Sequence, residues 1–132
     1  NVEMLEHVGA ENIVIFGMTA EEVARARAEG HNPRAIIEGS AELSQALSSI
    51  ASGVFSPDDR SRFSALIDGI YNSDWFMVAA DFDAYADAQR KVDAIWSDQD
   101  SWNTKAVRNT ARMGWFSSDR TVRQYATEIW RA

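Results

Sequence analysis

The chain has 132 residues, 45% hydrophobic and 25% charged, which is the profile of a folded domain and not of a disordered or low-complexity chain. There are no cysteines, so disulfide scaffolds, thiolate metal sites and cysteine nucleophiles are excluded, and no apolar run approaches the ~20 residues a membrane span needs. The net charge is −7, which argues against a general nucleic-acid binder. It is unevenly spread: residues 102–132 hold 6 basic and 2 acidic side chains, and the rest hold 7 basic and 18 acidic. A basic tail of this kind is expected to pack against the acidic body of the chain or against an acidic neighbour, the alternative being a phosphate-binding role.

In chain order, Val2, Leu5 and Val8, with Met4, recur at helical spacing, and Gly9 is placed as a stop. Asn12 introduces Ile13-Val14-Ile15-Phe16, an apolar and mostly β-branched run ended by Gly17, read as one buried strand of the parallel type. A lone strand makes no sheet, so its partners are expected outside the chain. Thr19 and Glu22 form a capping box that opens a helix stopping at Gly30. Asn32-Pro33 signals a short helix, and Ser40 caps another that carries Leu43, Leu47 and Ile50. Ser56-Pro57 repeats the start signal ahead of Phe63, Leu66, Ile67, Ile70 and Tyr71.

Asn72-Ser73-Asp74 reads as a turn, and Trp75-Phe76-Met77-Val78 as extended or a short strand. Asp81 is expected to cap a long helix with Phe82, Tyr85, Gln89, Val92 and Trp96, and Asp98 to cap the next, with Trp102, Ala106, Asn109 and Met113. Ser118 caps a last helix carrying Val122, Tyr125, Ile129 and Trp130. Phe82, Tyr85, Val92 and Trp96 are expected to share one core with Trp102 and the last helix. No repeat, linker or internal boundary shows over residues 1–132.

Few groups carry chemistry. His7 and His31 stand 24 positions apart with no HxxH or HExxH spacing, and neither a GxSxG elbow nor a Gly-rich phosphate loop is present. Lys91 and Lys105 lie inside helical patterns, without the surroundings of a Schiff-base lysine. Asp83 and Asp87, four apart, could seed a cation site with Asp81, but solvated acids near a helix start are the plainer reading. Asp58 and Asp59, and Asp119 after Ser118, read as first-turn acids that complement helix dipoles. No catalytic, cofactor-binding or metal residue is expected.

Taken together, Asn1-Val2-Glu3, Asn12 to Gly17, Ser52-Gly53-Val54-Phe55-Ser56-Pro57, Ala80-Asp81-Phe82 with Tyr85 and Gln89, and Phe116-Ser117-Ser118-Asp119-Arg120-Thr121 with Tyr125, Ile129 and Trp130 resemble the C-terminal end of the glycogen and maltodextrin (α-glucan) phosphorylases. The resemblance covers the whole chain in order. It implies an α/β parent of the glycosyltransferase-B fold, with residues 1–132 being the C-terminal part of its C-terminal, cofactor-side Rossmann-like domain. This part would be mostly α, with the strand at residues 13–16 the last of that domain's sheet.

The resemblance also implies a cytoplasmic, commonly homodimeric parent. Such a parent phosphorolyses terminal α-1,4-linked glucose with orthophosphate and pyridoxal phosphate, giving glucose 1-phosphate. In the family the cofactor lysine, the Gly-rich segment and the phosphate-binding basic residues lie upstream of the position matching Asn1. Lys91 and Lys105 match C-terminal helix positions instead. The chain by itself is therefore expected to be an inactive fragment without cofactor, its partner being the rest of the phosphorylase chain, with no nucleic acid or membrane partner. A free-standing helical binding module derived from such an enzyme is the alternative. The start at Asn1 without Met favours the fragment.

Overall fold

A computed structural model describes residues 2–131, and among them every regular element is helical. The elements are α1 (Val2–Val8), a 3-10 turn (Ala10–Asn12), α2 (Ala20–Glu29), α3 (Pro33–Gly39), α4 (Ala41–Ala51), α5 (Ser64–Asn72), α6 (Val78–Ser97), α7 (Gln99–Arg112), a second 3-10 turn (Met113–Phe116) and α8 (Ser118–Gln124). The last helix widens into a π-helical turn over Tyr125–Trp130. Two compact units form: one from the residues through Ile15 together with those from Arg90 on, the other Phe16–Gln89.

The strand expected at residues 13–16 does not form. Ile13 has extended dihedrals, but no sheet exists among the described residues, and Val14, Ile15 and Phe16 are exposed. Chemically the run suits a strand. A strand is nonetheless a property of a pair, and the described residues hold no second strand to complete the ladder. Trp75-Phe76-Met77-Val78 is no strand either: residues 75 and 76 are in a turn, Met77 has φ 57°, and Val78 begins α6.

The Phe16–Gln89 unit is built on four short helices, α2 to α5, and the start of α6. Thr19 and Glu22 close the capping box on α2, Asn32 accepts the Ala35 N–H ahead of Pro33 in α3, and Ser40 accepts the Leu43 N–H at the start of α4. Ile37, Leu43, Leu47, Ile67 and Ala79 form the buried core, with Ile36, Ile50, Ile70, Tyr71 and Phe82 packed on it. Ile37 is only 1% exposed. Each such aliphatic side chain contributes about 1.5–3 kcal/mol by burial.

Ser56-Pro57 does not start a helix. Residues 53–64 run through successive i→i+3 turns, and α5 begins only at Ser64. Asp59 is the local cause: its carboxylate accepts both the N–H and the hydroxyl of Ser61, which competes with helical pairing. Gly53, at φ 76°, opens this stretch, and a Cβ there would lie 3.0 Å from the Arg60 Cα.

Asp81 does not cap α6, which starts three residues earlier. Asp74 does, accepting the N–H groups of Val78, Ala79 and Ala80 at 2.7, 3.0 and 3.4 Å. Asp81 instead accepts the Met18 N–H at 2.9 Å, just after Gly17, whose φ is 82°. The last helix begins one residue earlier than its sequence signal: the cap is Ser117, accepting the Arg120 N–H.

The aromatic side chains do not collect into one core. Phe82 packs on the cluster around Ile37, Tyr85 meets Phe16 edge-on at 5.2 Å, and Trp96 meets Trp102 edge-on at 4.9 Å. Trp96 remains 54% exposed. In the π-helical turn Tyr125 and Trp130 are edge-on at 6.1 Å.

Candidate functional site

The unit holding α1 and α7 contains a cleft of about 350 Å³. Trp102, Lys105, Ala106 and Asn109 recur at i, i+3, i+4 and i+7 and form one wall along α7. Val92 and Ile95 supply a second wall from α6, and residues 11–14 the third. The end of α1 is held to α7 by donors meeting backbone carbonyls that a helix end leaves unpaired. Arg112 Nη1 donates to the Val8 carbonyl at 2.6 Å, Lys105 Nζ to the Glu11 carbonyl, and Asn109 Nδ2 to the Asn12 carbonyl at 3.0 Å. Within this unit, then, Lys105 and Arg112 of the basic tail meet backbone carbonyls at the end of α1 and in the turn after it.

Asn12 is 5% exposed. Its Nδ2 donates to the Val8 carbonyl and to Glu11 Oε1, at 2.6 and 2.8 Å. Two acceptors on that nitrogen fix which way the amide faces. The Oδ1 atoms of Asn12 and Asn109 are both buried and have no hydrogen-bond partner. The Glu11 carboxyl is held below its ordinary pKa, first by its own backbone N–H, then by the Asn12 amide and the charges of Arg112 and Arg108.

The other polar residues weighed in the sequence are dispersed. His7 stacks on Trp115 at 4.8 Å and meets Phe116 edge-on. His31 pairs with Asp74. Lys91 is exposed on α6. Asp83 accepts the Ser40 hydroxyl at 2.8 Å, and Asp58 pairs with Arg62 at 2.6 Å. Among the described residues no group of three or more His, Asp or Glu side chains is placed to hold a metal ion.

Nor do the residues fit pyridoxal phosphate. The Lys105 amine is engaged with the Glu11 carbonyl, and the basic side chains beside it, Arg108 and Arg112, face the Glu11 carboxylate. In the sequence Asn12 and Asn109 read only as a strand opener and a helix-face residue. The available signal is an amide on an otherwise apolar helical stripe.

The family model described as Carbohydrate phosphorylase matches residues 1–132. The glycogen phosphorylase of Synechocystis sp. is 45% identical over 130 residues, that of Haemophilus influenzae 40% over 131, and the human brain-form glycogen phosphorylase 42% over 130. These alignments cover 98–99% of this chain and only 15–16% of each relative's length. A match that runs the whole length of the chain, at this identity, places it in the carbohydrate phosphorylase family, as a segment spanning about 15% of the relatives it matches.

Proposed function

We propose that the chain is the C-terminal part of the cofactor-side domain of an α-glucan phosphorylase. The whole polypeptide would transfer a terminal α-1,4-linked glucose unit to orthophosphate, as a pyridoxal-phosphate-dependent glycosyltransferase. The carrying observation is the family match over residues 1–132 against relatives more than six times as long. The chain itself is a scaffold in this reading. Lys105 and Arg112 are taken up by carbonyls at the end of α1 and the turn after it, and Arg62 by Asp58, so in this reading cofactor, phosphate and glucan are bound by the rest of the enzyme. A homodimeric, cytoplasmic parent is part of the same proposal. Among the described residues no helix is long and apolar enough to cross a membrane.

The test is a chimera in which residues 1–132 replace the matching segment of the Synechocystis enzyme. Phosphorolysis of maltoheptaose is expected to persist. A folded chimera that retains pyridoxal phosphate yet releases no glucose 1-phosphate would overturn the reading. So would the isolated chain, if it kept a stoichiometric cofactor through dialysis and then produced glucose 1-phosphate.

A further inference from the structure

In the Phe16–Gln89 unit, residues 75 and 76 form a turn between Asp74 and Met77, which are buried and take φ 38° and 57°. The Met77 N–H donates to the Asp74 carbonyl at 2.8 Å, and Arg27 donates to the Trp75 carbonyl. A turn locked in this way, at a cost in backbone strain, turns two aromatic side chains outward: Trp75 is 64% exposed and Phe76 82%. Holding them in place beforehand removes part of the ordering cost of any association they make.

Phe76 and Val78 are shared by the linings of two apolar hollows, of about 290 and 380 Å³. A cavity of about 150 Å³ already holds a benzene ring. Leu66, Gly69 and Ile70 of α5 line the first hollow, and Phe16, Phe82 and Tyr85 the second. The polar side chains in these linings are engaged. The Ser73 hydroxyl donates to the Gly69 carbonyl, Asp74 accepts the N–H groups at the start of α6, and Asp81 accepts the Met18 N–H. The occupant these hollows suit is therefore an apolar side chain. Gly69 keeps the first one open. It lies inside α5, where alanine would favour the helix by about 1 kcal/mol, and a Cβ there would meet nothing within 4 Å.

We propose that this face pairs with the same face of a second copy of the chain, Phe76 of each copy entering the α5 hollow of the other. A two-fold pair needs a patch complementary to itself, and here the projecting ring and the hollow are neighbours. Phe16, Leu66, Trp75, Phe76, Val78 and Tyr85 together expose on the order of 600 Å². That is the upper end of what a monomer leaves open, and it approaches the ~800 Å² per partner of a stable interface. The pairing is a property of this chain and does not rest on the phosphorylase reading.

Sedimentation velocity over rising concentration is expected to take the chain from a 14.7 kDa monomer to a discrete dimer. Phe76→Glu should weaken the dimer by about tenfold or more, because it carries a charge into the partner's hollow. Gly69→Leu fills the hollow from the chain's own side and should weaken it as much, with no loss of thermal stability. Phe55→Glu, at an exposed ring outside both hollows, should change it by less than about twofold. Each copy carries a net charge of −7, so added salt should tighten the pair. A chain that stays monomeric, or that grows without a discrete dimer, overturns the pairing. So does a dimer untouched by both Phe76→Glu and Gly69→Leu, which uses another face, or one that Phe55→Glu weakens equally, which marks unspecific apolar contact. Dissociation by salt overturns it as charge pairing. A monomeric chain whose Phe76→Glu change makes the Synechocystis chimera lose its cofactor assigns the face to the rest of the enzyme and overturns it too.

Discussion

His31 Nε2 lies 3.2 Å from Asp74 Oδ2, and both side chains are almost fully buried. The same carboxylate accepts three N–H groups at the start of α6, so a single side chain joins the α2–α3 link to a helix beginning more than forty residues later. Arg27 and Arg34 reinforce the join. Arg27 donates to the Trp75 carbonyl and lies over its indole, and Arg34 donates to Asn72 and lies over Tyr71. Asp74 and Met77 take positive φ to make this geometry, a cost the surrounding bonds must offset.

Asp74→Ala is therefore expected to destabilise the fold by about 3 kcal/mol, from the lost cap and the stranded His31. His31→Ala leaves the helix cap in place and is expected to cost about 1 kcal/mol. Urea midpoints of both variants check this; equal effects would mean that the helix cap contributes little.

Core and aromatic substitutions should separate. Leu47→Ala empties a site that is 4% exposed and is expected to cost about 3 kcal/mol. Trp96→Ala removes a half-exposed ring whose partner is Trp102, and is expected to cost about 1 kcal/mol. The same denaturation curves, followed by far-ultraviolet circular dichroism, rank the two.

Legibility follows how local each interaction is. The caps at Thr19, Asn32, Ser40 and Asp98 are readable because donor and acceptor lie within one turn. Asp74 reads only as a turn residue, because its cap works through a positive φ at Met77 that no propensity favours. Ser56-Pro57 misleads because Asp59, two residues on, draws the Ser61 N–H away. Ile13-Val14-Ile15-Phe16 has strand chemistry, but pairing is decided by a second segment, and period alone says nothing of its presence. The cleft is hidden for the same reason. Asn12 and Asn109 stand 97 positions apart and meet only in three dimensions.

Gly17→Ala is expected to cost about 1–3 kcal/mol. At φ 82° a side chain is strained, and its Cβ would lie 2.6 Å from Asp81 Oδ2, displacing the carboxylate that holds the Met18 N–H. Combining it with Asp81→Ala should be less than additive, since both act on one contact. A double-mutant cycle by thermal denaturation gives the coupling, and full additivity would refute the link.

Acid should loosen two carboxylate anchors. Glu22 is held below its ordinary pKa by hydrogen bonds from the Thr19 N–H and hydroxyl and by the charge of Arg25, and Glu11 is lowered as described. A depressed folded-state pKa means that the stabilisation is complete above the unfolded-state value and is lost as pH falls through the folded one. Titration of the Glu22 and Glu11 carboxyl carbons by NMR should show midpoints below the ordinary glutamate value. Thr19→Val should return Glu22 toward the ordinary value.

The winding of the C-terminal helix has an optical consequence. Tyr125 and Trp130 are five residues apart, a spacing that points side chains about 140° apart around an α-helix. The wider π turn brings the two rings edge to edge. Their coupling in the near-ultraviolet is thus a gauge of backbone pitch. If the segment tightened into ordinary α geometry the rings would part and the exciton signal would vanish, while the helical signal in the far ultraviolet stayed the same.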